Sequence, residues 1–208
     1  IDRAGFVGED GATHAGIFDL TFLRCIPNLV IMAPSNENEC WQMLDFGYSY
    51  KGPVAIRYPR GNAPGVDINK DRSDIELGKA KVLNKKESSD IAILAFGSLF
   101  DIAEDVASEL NATLVDMRFI KPIDEALLED LSETHKLFVT VEENVIAGGA
   151  GSAVNEFVNE KSLSVNILNF GISDKFPVVG SPEDQKEASN LSKEELLIKI
   201  KAKLDKQQ

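Results

Sequence analysis

The chain has 208 residues, 43% hydrophobic and 27% charged, so it can bury one large globular core or two modest ones. Its net charge of −12 counts against binding nucleic acid or an anionic membrane through bulk electrostatics, while leaving room for a local basic pocket. No apolar run approaches the roughly 20 residues of a membrane span, and the two cysteines, Cys25 and Cys40, form no CxxC or Cys/His zinc pattern.

The first 16 residues set Gly5, Gly8, Gly11 and Gly16 among Asp2, Arg3, Glu9, Asp10, Thr13 and His14. Glycines let backbone approach a ligand closely. A histidine near carboxylates can be held in one tautomer for acid–base work. A polar surface turn with a solvated histidine accounts for the same composition. The chain opens at Ile1 inside this segment, without a methionine or signal peptide, as expected of a piece of a longer polypeptide.

Leu29-Val30-Ile31-Met32 predicts a buried strand ended by Pro34. Ser35, with Glu37 in the next turn, predicts a helix start, and Trp41, Leu44 and Tyr48 continue it at helical spacing to Gly52-Pro53. Residues 54–58 predict the next strand, with Arg57 read as a structural ion-pair partner. Residues 61–76, opening on Gly61-Asn62-Ala63-Pro64-Gly65, read as a linker between regions 1–60 and 77–208.

In the second region, residues 79–83 alternate like an edge strand, and the apolar run 91–96 predicts a central one. A helix is expected from Ser98 to about Leu110, then a strand over 113–116. Pro122 and Asp124 open a helix to about Leu131, followed by a strand over 137–141, a helix over 148–158 and a strand over 165–168. Ser192 with Glu195 reads as a capping box for a last helix, whose polar tail from Lys199 is expected to fray. Strands alternating with helices predict an α/β fold with a doubly wound, mostly parallel sheet.

Half of the first region's strands are missing from residues 1–60, which are not expected to close a sheet alone. Residues 1–25 are therefore expected to be loosely held in this chain by itself. Gly148-Gly149-Ala150-Gly151 can hold an anion at a helix start, although tight helix–sheet packing is the preferred explanation. Glu142 and Glu143 read as solvated or interface residues, His135 as structural, and both cysteines as small buried fillers.

Longer motifs carry a resemblance. Residues 2–19, Leu23-Arg24-Cys25-Ile26-Pro27-Asn28, residues 32–40 and Arg57-Tyr58-Pro59-Arg60-Gly61 resemble the 1-deoxy-D-xylulose-5-phosphate synthase family of transketolase-like thiamine enzymes. Residues 116–124, Thr140-Val141-Glu142-Glu143-Asn144 and residues 148–152 extend the resemblance over the chain. It implies that residues 1–60 are the C-terminal part of a pyrimidine-binding domain, and that 77–208 are a transketolase C-terminal-type domain supporting a homodimer.

The reaction implied is condensation of pyruvate with glyceraldehyde 3-phosphate, releasing carbon dioxide, for isoprenoid, thiamine and pyridoxal synthesis in the cytoplasm. Arg3 and Arg60 match phosphate-binding arginines, whose forks suit phosphate oxygens. Asp10 and His14 match residues of the substrate pocket and are the candidate catalytic groups: His14 for proton handling or for bonding the intermediate's oxygen, Asp10 for orienting a substrate hydroxyl or His14. Thiamine diphosphate and Mg2+ are implied for the complete enzyme. Their principal ligands and the activating glutamate are implied upstream, so the chain alone is expected to be inactive. Gly8-Glu9-Asp10-Gly11 is not the family's metal motif, and no metal ligand is assigned here. A separate C-terminal subunit of a split transketolase and a non-catalytic interaction module are the competing readings.

Overall fold

The computed structural model describes residues 1–70 and 74–206. All six residues of β4 (Ile91–Phe96) are buried, so this strand needs cover on both faces. Its alternation divides that cover. Ile91, Ile93 and Ala95 pack with α3 (Phe100–Leu110) and with Leu196, Leu197 and Ile200 of α7 (Lys193–Asp205). Ala92, Leu94 and Phe96 pack with Leu128 and Leu131 of α4 (Glu125–Ser132) and with Ala150, Val154 and Phe157 of α5 (Ala150–Glu160).

The sheet runs in the order β3-β5-β4-β7-β8. β5 (Thr113–Asp116), β4, β7 (Leu137–Val145) and β8 (Asn166–Ile172) are parallel. β3 (Lys81–Asn84), exposed along its whole length, closes one edge antiparallel. This is the expected doubly wound, mostly parallel architecture. No helix among the described residues is long and apolar enough to cross a membrane.

The first region forms a second sheet. β1 (Val30–Met32) pairs parallel with β2 (Val54–Ile56), joined through α2 (Glu37–Ser49). Its third strand, β6 (Phe119–Lys121), comes from beyond the linker and pairs antiparallel with β1, Met32 opposite Phe119. One strand of this sheet is thus supplied by the second region of the chain. Leu20, Ile31 and Ala33 share a core with Phe96, Met117 and Ile120.

Residues 1–25 correct the expectation of a loosely held segment. Ile17 and Leu20 are fully buried, and α1 (Asp19–Arg24) packs against β7. Gly8 N donates to Gln185 Oε1 at 2.9 Å, Val145 N to Ile17 O at 2.8 Å, and Arg24 Nη1 to Gly148 O at 2.7 Å. Buried backbone groups that find partners across an interface hold a loop without regular structure.

Other differences are local. The cap of α2 is Asn36, whose Oδ1 accepts from Glu39 N, while the Ser35 hydroxyl is used elsewhere. The reciprocal capping box is at Ser181 and Asp184, on α6 (Pro182–Ala188), a helix that the sequence reading lacks. At Ser192 the side chain accepts from Glu195 N. α7 stays helical to Asp205, past the point where fraying is expected, and Gln207 and Gln208 lie outside the described residues. The segment after Arg60 lies along α2: Gly65 N, Asn69 N and Asp74 N donate to Glu37 Oε1, Asn38 Oδ1 and Gln42 Oε1.

Candidate active site

Arg57 is the anchor around which the first segment folds. Its side chain is 1% exposed, and its Nε meets both carboxylate oxygens of Asp19 at 2.9 and 2.8 Å. Nη2 donates to Gly16 O at 2.6 Å and to Glu143 O at 2.7 Å. A guanidinium so enclosed is a structural ion pair, as the sequence reading expects.

Arg3 and Arg60, 57 positions apart in sequence, converge on one carboxylate. Asp10 Oδ2 lies 3.7 Å from Arg3 Nε and 3.1 Å from Arg60 Nε. Both arginine side chains are about half exposed, at 45% and 52%. Two guanidinium groups and one carboxylate leave a net charge of +1, with fork donors still open to solvent. That arrangement suits a phosphate dianion.

His14 stands apart from this trio. Its Nδ1 lies 3.2 Å from Asp10 O and 3.1 Å from Thr13 Oγ1. A carbonyl oxygen only accepts, so it bonds the tautomer with the proton on Nδ1, while the Thr13 hydroxyl can serve either tautomer. The Asp10 carboxylate lies on the arginines, so its link to His14 runs through the backbone oxygen.

A cleft of about 590 Å³ opens beside Arg60. Phe6, Ser35, Tyr58, Ser98, Glu143 and Lys186 are among its lining residues, so both regions contribute to it. Glu143, buried on β7, accepts from Phe6 N at 3.2 Å and from the Ser98 hydroxyl. Burial pushes its carboxyl above the usual range, opposed by the Ser98 bond and the nearby Arg57 charge. A solvated role does not describe this residue, which lies where the two regions meet. The partner that reveals its position lies 137 residues away, where local pattern carries no signal.

The glycine-rich turn before α5 meets a carboxyl group supplied by the chain itself. Glu142 accepts from Ala150 N at 2.7 Å and Gly151 N at 2.8 Å. A Cβ at Gly149 would strike its carboxylate. A Cβ at Gly151 would likewise strike Thr140 and Asn169 of the sheet, so tight helix–sheet packing is what the glycines serve. Burial lifts Glu142 to about 7 against the pull of those two N–H groups.

His135 is 1% exposed and bonded to Thr113 Oγ1 and Leu131 O, a structural role. Cys25 is exposed and Cys40 half-buried, so neither is a fully buried filler. Among the described residues no three His, Cys, Asp or Glu side chains gather closely enough to hold a metal ion.

Two family descriptions match the chain: "Transketolase, pyrimidine binding domain" over residues 1–66 and "Transketolase, C-terminal domain" over residues 78–196. The 1-deoxy-D-xylulose-5-phosphate synthase of Pectobacterium atrosepticum is 57% identical over 185 residues, which are 88% of this chain and 29% of that protein. That of Colwellia psychrerythraea is 53% identical over 209 residues, covering 97% of this chain and 33% of that protein. The chain thus spans a minor share of the length of these relatives.

Among solved structures, a split gene transketolase, described as an inactive beta4 tetramer, superposes with a TM-score of 0.85 at 29% identity. The match covers 97% of this chain and 64% of that one. The transketolase of Campylobacter jejuni gives a TM-score of 0.72 at 21% identity over 97% of this chain and 30% of that one, a likeness of fold.

Proposed function

Because this chain belongs to the transketolase family through its pyrimidine-binding and C-terminal domains, we propose that it forms the C-terminal part of a 1-deoxy-D-xylulose-5-phosphate synthase. In this reading residues 1–60 complete the pyrimidine-binding domain, 61–76 link, and 77–208 support a homodimer in the cytoplasm. The complete enzyme joins pyruvate to glyceraldehyde 3-phosphate with loss of carbon dioxide. Thiamine diphosphate and Mg2+ are held by portions of the enzyme outside this chain.

The observation that carries the reading is the meeting of Arg3 and Arg60 at Asp10. Asp10 keeps the two guanidinium groups together while no anion is bound. A substrate phosphate, with twice the charge, competes for their outward donors. Asp10 then serves to orient the arginines and a substrate hydroxyl. His14 takes or returns a proton at the substrate.

Arg3→Ala and Arg60→Ala in the complete polypeptide test this. Each is expected to raise the KM for glyceraldehyde 3-phosphate on the order of 10-fold or more while leaving that for pyruvate nearly unchanged. Equal, small effects on both substrates would refute it. The purified 208-residue chain is expected to show no turnover, in keeping with its structural relative, a split gene transketolase described as an inactive beta4 tetramer.

The same relative favours a second reading, a subunit of a split transketolase. Donor choice separates the two: pyruvate for the synthase, a ketose phosphate for transketolase. A binding module without catalysis would use neither.

A further inference from the structure

We infer that Glu143 is a positioning residue for the loop that carries Arg3 and Asp10, fixing from the second region the geometry of the phosphate site in the first. The inference rests on the synthase reading above. Glu143 is 3% exposed, and burying a carboxylate is costly unless it is hydrogen-bonded. Its side-chain bonds are to the Phe6 backbone N–H and to the Ser98 hydroxyl. Phe6 lies three residues after Arg3 and four before Asp10, so this bond sets the course of the chain between the two.

The loop is shaped to receive this carboxylate. Gly5 has φ +73°, and a Cβ there would collide with the Glu143 side chain. Ala4 N donates to Tyr58 O at 3.1 Å and Gly5 N to Gly16 O at 2.7 Å. Those bonds tie the approach to Gly5, and the Phe6–Glu143 bond ties the exit. The Glu143 backbone oxygen also accepts from Arg57, three residues before Arg60. One residue of β7 thus touches both chain segments that deliver the arginines. Both Glu143 and Arg60 line the cleft, so a ligand in it would meet the support and the supported group together.

The test uses the complete, cofactor-loaded polypeptide and measures KM for glyceraldehyde 3-phosphate and for pyruvate separately. Glu143→Ala is expected to raise the first about 10-fold and the second less than about 2-fold, because a small misplacement of a binding group is costly only for its own ligand. Glu143→Gln, which can still accept from Phe6 N–H and donate to Ser98 Oγ, is expected to restore most of the loss. Ser98→Ala should show a smaller effect of the same selectivity, and it carries the test if Glu143→Ala does not fold.

Arg60→Ala is the control. If it is selective for glyceraldehyde 3-phosphate and the Glu143 and Ser98 variants are not, the positioning role is overturned while the synthase reading stands. If Arg60→Ala itself shows no selectivity, the phosphate site fails and the role built on it fails too.

Discussion

Ser35 Oγ donates to Asp116 Oδ2 at 2.6 Å, joining the loop after β1 to the end of β5. The Asp116 carboxyl is fully enclosed at this junction. Burial raises it from 3.8 to about 6, opposed by the Ser35 bond and the Arg118 N–H and reinforced by the nearby Glu39 charge. The folded state therefore holds this proton where the unfolded chain has released it. Stability from this group is greatest below pH 4, falls as pH rises to about 6, and stays lower above that.

Asp116→Asn removes the titration. The stability difference between variant and parent is expected to shift in the variant's favour by on the order of 2–3 kcal/mol between pH 4 and 7. Urea unfolding at stepped pH reads it. A difference independent of pH would show that Asp116 ionises at its ordinary value.

Arg57→Ala leaves Asp19 charged and enclosed with no counter-ion. Breaking a buried pair from one side costs about 3–5 kcal/mol. Denaturant midpoints should drop accordingly, and Asp19→Asn placed in the Arg57→Ala background should recover part of the loss. A cost under about 1 kcal/mol would place the pair among those of surface strength.

Glu142→Ala strips two N–H groups at the start of α5 of their acceptor, at about 1–3 kcal/mol each. Faster amide exchange at Ala150 and Gly151 than in the rest of α5 is the expected sign. Glu142→Gln keeps one acceptor oxygen and should fall between. Exchange at those two amides unchanged in both variants would mean water replaces the carboxylate freely.

His14→Gln tests proton handling. It should lower kcat of the complete enzyme by about 100-fold or more while changing the KM for glyceraldehyde 3-phosphate little, since general acid–base groups contribute roughly 10²–10⁴-fold. A change confined to KM would make His14 a binding group.

The five-stranded sheet was legible because its strands announce themselves locally. Ile91–Phe96 is an unbroken apolar run, and its buried faces follow directly. β6 escaped because three residues, Phe119–Lys121, become a strand only through a partner beyond the linker. α6 has little apolar periodicity, although Ser181-Pro182-Glu183-Asp184 is a readable start signal. In the candidate site, Arg3, Asp10, His14 and Arg60 came from a family likeness, and the folded chain brings three of them into contact. Glu143 falls in a motif of the same likeness, but its contacts with Gly5 and Phe6, at the far end of the sequence, leave no local signal.

β6 lies in the sheet of β1, on the other side of a stretch that reads as a boundary. Severing the chain between residues 65 and 70 would therefore divide the polypeptide but not the hydrogen-bonded ladder. Each piece would carry the complement of the other's open edge, and the two should reassemble from separate synthesis. A gene broken at that point would still encode one folded body, whereas a break after residue 121 would leave the shared sheet whole and divide the larger one.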